Sequence, residues 1–240
     1  MNAHPEDPVV FDQAVNSVCN VYEQTPQFHE QGEHVMSTDE KTGIQALECK
    51  DPILPTRPGQ VERREFEYIR HGTLCLIANF DVALGKILTP SLGPTRTEAD
   101  FLAHIAQTVA TDPQARWTWI CDHLNTHLSA SLVEWVTQQC GLTLDLGVKG
   151  ENGILASMET REAFLSDPTH RIRFVYTPKH TSWLNQVEIW FSILARRLLK
   201  RGNFKSIDDL REQILAFIDY FNQTMAKPFK WTYRGRPLQA

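Results

Sequence analysis

Three acidic residues stand where a carboxylate is hard to explain as ordinary surface. Asp39 closes the run HVMSTD, Asp122 closes the run WTWICD, and Glu188 lies inside SWLNQVEIWFSIL. The first two end stretches with strand patterning, and the third sits on a helix with a strong apolar stripe. An ionised carboxylate beside a core needs a counter-charge. Three brought to one crevice would repel one another without cations, and such all-oxygen ligation suits two Mg2+ or Mn2+ ions. Two ions of that kind hold the attacking and leaving oxygens of a phosphodiester displacement, so nucleic-acid cutting is the expected chemistry.

Each acid also has a plainer explanation. Asp39 precedes KTG and could be a turn residue, Asp122 could cap the next helix, and Glu188 could be a boundary glutamate reaching water. Glu188 lies about 100° round the helix from Val187, on the flank of the apolar stripe, with Asn185, Ser192 and Ala195 as small or amide neighbours. His123 and His127 share the four-residue spacing of a zinc-binding helix. Their motif HLNTH has no glutamate beside the first His, and Asn125 and Thr126 favour a loop, so a contact behind a metal ligand or to a phosphate is expected instead. The glycine-bearing GVKGENG lacks the G-K-[ST] ending of a phosphate-binding loop.

The elements that must position these residues follow from periodicity. Pro8 opens a helix with Asp7 as its cap, running to about Gln24. HVMSTDEKTGIQALECK reads as two short strands around a turn at Lys41 to Gly43, and the segment from Pro52 through VERREFEYIR as loop or extension. Gly72 to Leu92 reads as two strands joined near Leu84 to Lys86, Thr97 with Asp100 as a capping box, and WTWICD as a buried strand. Helices are expected over Leu128 to Cys140, stopped by Gly141, and over Ile154 to Leu165. Ile172, Phe174 and Tyr176 alternate as a strand stopped by Pro178; Trp183, Val187, Trp190, Phe191, Leu194 and Leu198 form one helix face; a last helix is capped at Ser206. That order predicts an α/β domain with a mixed sheet, in which neighbouring strand ends and a helix packed across them bring the three acids together.

The 240 residues and 42% hydrophobic content allow one domain with a proper core. The net charge of −5 hides an asymmetry: residues 171–240 hold 13 Lys and Arg against 5 Asp and Glu, and residues 1–170 hold 11 against 24. A phosphate-binding face is therefore expected toward the end of the chain. No apolar run reaches membrane-spanning length and the opening residues carry no signal-peptide pattern, so a cytoplasmic, nucleoid-associated protein without membrane contact is expected. Five cysteines without a C-x-x-C pair read as thiols of a reducing compartment.

STDEKTGIQALE, RHGTLCLIANFDVALGKI, WICDHLNTH and YTPKHTSWLNQVEIWFSILARRLLKRGNF together resemble the catalytic domain of mariner-related bacterial insertion-sequence transposases, in the DDE endonuclease superfamily. The resemblance covers roughly residues 10 to 232. It implies an RNase H-like fold, a mixed five-stranded sheet flanked by helices, with Asp39, Asp122 and Glu188 as catalytic ligands of two Mg2+ or Mn2+ ions. It further implies hydrolysis at a transposon end followed by attack of the freed 3′-OH on target DNA, with TA as the target. Lys179, His180, Asn185, Arg196, Arg197, Lys200 and Arg201 are the expected DNA-binding residues, mostly through backbone phosphates. The implied organisation is a helical arm over 1–32, a catalytic domain over 33–225 with a surface insertion at about 142–169, and a tail over 226–240. Two departures stand out: His123 follows Asp122 where the family usually has Asn, and the interval from Asp122 to Glu188 is about twice the usual one. Relatives carry a helix-turn-helix region ahead of the first acid, so this chain is expected to work as a homodimer or with a helix-turn-helix-bearing protein. The alternative from another class is a non-catalytic DNA-binding or dimerising remnant that regulates a full-length transposase.

Overall fold

The computed structural model describes residues 8–50 and 67–233. Asp7, Pro52 to Pro58 and residues 61–66 of the charged segment lie outside the described residues. Five strands, β1 (Glu33–Cys49), β2 (Tyr68–Asp81), β3 (Lys86–Gly93), β4 (Arg116–Cys121) and β5 (Ile172–Tyr176), form one sheet in the order β3-β2-β1-β4-β5. The first three pair antiparallel, while β1–β4 and β4–β5 are parallel, which makes the expected mixed sheet. Helices α1 (Pro8–Glu30), α5 (Gln186–Leu194) and α6 (Ile207–Thr224) cover one face; α2 (Glu98–Val109), α3 (Ala130–Gln139) and α4 (Met158–Leu165) cover the other.

Side-chain alternation divides the core. On β4, Trp117, Trp119 and Cys121 enter the layer under α2 to α4, while Ile120 enters the layer under α1, α5 and α6. A strand buried on both faces belongs at the centre of a sheet, and β4 lies between β1 and β5. Local signals hold the helices in place: the Thr97–Asp100 capping box starts α2, and Ser206 accepts from the Asp209 N–H at the start of α6.

Four expectations change. β1 is one strand of 17 residues rather than two around a turn, because Thr42 and Gly43 form a bulge against β2, with Gly43 at φ 65°, and pairing resumes at Ile44. Asp39 therefore lies inside a long strand. Helix α5 begins at Gln186, since Asn185 has extended backbone, and Trp183 sits 47% exposed on a preceding 3-10 turn instead of on the apolar face. Helix α1 continues through Pro26 to Glu30 and buries Val15, Val18 and Tyr22 in the core. The stretch expected as a surface insertion places Leu155, Phe164 and Leu165 in the second core layer.

Near the end of the chain Phe229, Trp231 and Tyr233 pack on Phe80, Tyr22 and Trp183, with ring centroids 4.5, 4.7 and 4.8 Å apart. This strap passes Gly85, where a Cβ would stand 2.0 Å from the Lys227 carbonyl. Among the described residues, no helix is long and apolar enough to cross a membrane.

Candidate active site

β1 and β4 pair in parallel as far as Ser37 beside Ile120. Carried two residues further, that register sets Asp39 beside Asp122, with Cα atoms about 5 Å apart by ordinary strand spacing. Alternation gives Ser37, Asp39 and Lys41 one face of β1 and Thr38 and Glu40 the other. The first face lies under α5, whose first turn carries Glu188.

Asp39 is 9% exposed. One oxygen accepts from the Glu40 N–H at 2.8 Å, and the other faces the Asn185 amide nitrogen at 3.4 Å. Burial, and then repulsion from Asp122, pushes this carboxyl up to about 7, with Glu40 and Glu188 adding to the effect. Glu188 is half-buried. Burial raises its carboxyl too, opposed by Lys41 and reinforced by Asp122. Lys41, whose Nζ lies 5.8 Å from the Phe191 ring centroid, is thus the cation next to the third acid.

Asp122 behaves differently. Burial alone would raise its carboxyl, but the hydrogen bond and charge of His127, with the Leu124 N–H, outweigh burial and hold it below the ordinary range. His127 Nδ1 donates to the Asp122 backbone carbonyl at 3.2 Å and pairs with Asp122 Oδ1 at 2.8 Å, and its Nε2 donates to Glu40 Oε1 at 3.0 Å. Burial opposes a charged imidazole, yet the bonds to Asp122, Cys121 and Glu40 raise His127 well above its ordinary value, so it is an imidazolium between two carboxylates. Tyr176 donates to the His127 carbonyl at 3.0 Å and Phe101 packs on its ring, which fixes the imidazole in place.

Ser37 and Asn185 tie the first acid to the helix of the third. The Asn185 amide donates to the Thr38 carbonyl at 2.9 Å and accepts from the Ser37 hydroxyl, which in turn accepts from the Val187 N–H at 2.8 Å. Asn185 was expected at the DNA face; it is 1% exposed with its amide occupied by β1, so it has no surface for a phosphate. Lys179 and His180 are exposed on the loop after β5. Arg196, Arg197, Lys200 and Arg201 are exposed on and just beyond the π-helical turns that extend α5, Ala195–Leu199, reaching about 20 Å from Glu188 at the ordinary rise per residue.

The donor set suits hard divalent cations: Asp39 on β1, Asp122 just after β4 and Glu188 on α5 are all carboxylates, and burial first, then repulsion from Asp122, pushes Asp39 toward neutrality. Both bonds to the Asp122 carboxylate land on Oδ1, which leaves Oδ2 for an outside ligand. The carboxylates do not form a ready-made cage; among the described residues, no three His, Cys, Asp or Glu side chains stand in a metal-ligating cluster. Sequence reasoning gave no role to Glu40 or Lys41, although their offsets of one and two from Asp39 signal the opposite and the same face of a strand.

A mixed sheet ordered 3-2-1-4-5 with acids on its central strands is the RNase H-like fold, shared with the Mos1 mariner transposase catalytic domain. The family model for DDE superfamily endonucleases matches residues 34–211, and the chain belongs to that family. The Mos1 mariner paired end complex with Mn superposes with a TM-score of 0.54 at 12% identity, over 90% of this chain and 56% of that one. A pre-cleavage Mos1 transpososome gives 0.52 at 13%, over 90% and 57%, and the Mos1 catalytic domain 0.50 at 11%, over 91% and 85%. At such identities the likeness is one of fold, and the chain spans 56% to 57% of the transposase chains in those complexes. No curated protein matches the sequence.

Proposed function

We propose that this chain is the catalytic domain of a mariner-related transposase of the bacterial insertion-sequence kind, which cuts DNA at transposon ends and joins the freed 3′ ends to a TA target. The observation that carries this reading is the placement of Asp39, buried with Asp122 beside it and under the helix α5 that carries Glu188, in a chain of the DDE endonuclease family. Asp39, Asp122 and Glu188 are the residues that would hold two Mg2+ or Mn2+ ions. Such ions, when bound, stabilise the charge on the attacking and leaving oxygens of an in-line phosphodiester displacement.

The protein's own side chains orient these ligands. Asn185 and Ser37 fix Asp39 against α5, and His127, backed by Glu40, holds one oxygen of Asp122. Lys179, His180, Arg196, Arg197, Lys200 and Arg201 meet backbone phosphates, which supplies salt-dependent affinity without sequence readout. Reading of transposon ends then falls to a second protomer or a helix-turn-helix-bearing partner in the nucleoid. The working unit is residues 33–225, with α1 and residues 226–233 packed on it.

Nicking of supercoiled plasmid in Mg2+ or Mn2+ by the wild type and by Asp122→Asn tests the reading, with Mn2+ binding followed by calorimetry. Loss of both nicking and one ion's binding heat in the variant is expected. Equal nicking by the two proteins overturns the assignment.

A further inference from the structure

Helix α5 starts without a cap of its own. The first N–H groups of a helix have no partner within it, and the side chain just ahead ordinarily takes one of them. Asn185 stands at that position but makes no capping bond, because its amide is held by β1. Two side chains from distant parts of the sequence act in its place. The Gln186 N–H donates to the Tyr22 hydroxyl of α1 at 3.3 Å, and the Val187 N–H donates to the Ser37 hydroxyl of β1 at 2.8 Å. The Glu188 N–H, next in line, donates to the Asn185 carbonyl at 3.1 Å.

Tyr22 also bonds the turn ahead of the helix. Its hydroxyl donates to the Leu184 carbonyl at 2.8 Å, so one oxygen holds the backbone on both sides of Asn185. Tyr22, Leu184 and Gln186 are all buried, so water does not replace these bonds. The phenol is itself fixed: Trp231 packs on its ring with centroids 4.7 Å apart, and Val15 and Val18 anchor α1 in the same core layer. Burial pushes the phenol above its ordinary range, so the hydroxyl keeps its proton and remains a donor.

We propose that Tyr22 is a positioning residue for Glu188: its hydroxyl fixes where α5 begins, and so where the third acid stands against Asp39. This deepens the DNA-cutting reading and rests on it. Glu188 is the third residue of α5, inside the turn that frays when the leading N–H groups lose their partners. Ser37 lies two residues before Asp39 on the same face of β1, so the first acid and the cap of the third acid's helix share one strand.

Tyr22→Phe keeps the ring and removes only the hydroxyl. Val15→Ala, two turns back along α1 and about 10 Å from Tyr22, is the control for a weakened α1. The full chain is followed by amide hydrogen exchange over residues 184–190 without metal and by Mn2+ binding in calorimetry. Tyr22→Phe speeds that exchange and weakens Mn2+ binding about tenfold, the usual size for loss of a partner behind a metal ligand. Val15→Ala lowers the melting temperature and leaves both readouts as in wild type, which a merely structural Tyr22 would also do. Nicking by Tyr22→Phe recovers at high Mn2+ with its dependence on DNA concentration unchanged. Wild-type exchange over 184–190 in Tyr22→Phe, or equal changes in Val15→Ala, overturns the proposal. Glu188→Gln separates it from the cutting reading. If Glu188→Gln weakens Mn2+ binding and Tyr22→Phe does not, only the Tyr22 assignment falls. If wild type and Glu188→Gln bind Mn2+ alike, the cutting reading falls, and exchange alone decides whether Tyr22 sets the start of α5.

Discussion

Asp39 and Glu40 are consecutive carboxylates on one strand, and the two faces of the sheet treat them in opposite ways. Glu40 enters the layer under α2, where its 1% exposed side chain is met by the His127 imidazolium at 3.0 Å. Asp39 enters the layer under α5, where its partners are a backbone N–H and a neutral amide and its neighbours are other acids. A buried charge is tolerated when paired, and a carboxylate left uncompensated in a cleft marks where a cation from outside is wanted. The fold thus supplies its own cation on one face and leaves the other face short of one. Asp122 joins the two, since the β1–β4 register carried past Ser37 and Ile120 brings it next to Asp39, whose carboxyl feels its charge, and it pairs with His127.

The largest effect that could break this comparison comes from the closed face. His127→Ala leaves Glu40 buried without a counter-charge, and urea denaturation should show a loss of about 3–5 kcal/mol. Glu40→Gln, which keeps an acceptor for the ring, should cost clearly less. A His127→Ala protein within about 0.5 kcal/mol of wild type would mean that the pair contributes nothing beyond surface level.

A smaller effect of opposite sign is expected on the open face. The Asp39 carboxyl titrates near 7 in the folded protein against 3.8 for the ordinary group, so the folded state holds the extra proton in between. Metal-free stability from this group is therefore present below about pH 4 and lost as pH rises toward 7. Asp39→Asn should raise metal-free stability by about 1–3 kcal/mol at pH 8 and have little effect at pH 4. Asp122→Asn should lower it at pH 8, because His127 holds that carboxyl below its ordinary range. The sequence alone favours the reverse for Asp122, since crowded acids repel and neutralising one should help. Thermal melts in EDTA decide, and a shared sign for the two variants would erase the distinction.

The smallest effect sharpens the role of the partners. His104 is as buried as His127 but has only the Ser91 hydroxyl at Nδ1 and nothing at Nε2, and burial depresses it from 6.5 to about 3. A folded value below the unfolded one means stability is present above about 6.5 and lost as pH falls toward 3. Between pH 6 and 5 this group should cost about 1 kcal/mol, a slope that His104→Asn removes. Parallel slopes for the two proteins in denaturation at both pH values would count against it.

Much of the scaffold was legible because it rests on local rules. The capping box at Thr97, the cap at Ser206, the alternating β5 and the tryptophan-rich β4 are each decided within a few residues. Misreadings fell where tertiary contacts override a local signal. The KTG stretch has turn composition, yet pairing with β2 on both sides makes it a bulge. Trp183 continues the helical spacing of α5, yet Asn185 leaves helical geometry to bond β1, and the indole packs on Tyr233 instead.

The identities of the three acids and their places near strand ends and on a helix flank were determined by the sequence, because alternation and helical period are properties of consecutive residues. What those acids are worth was decided by the tertiary structure. The parallel register of β1 on β4 sets Asp39 beside Asp122, and a histidine from the following turn compensates one and not the other. Charge interactions depend on distance and burial between residues dozens of positions apart, and no local pattern carries those quantities.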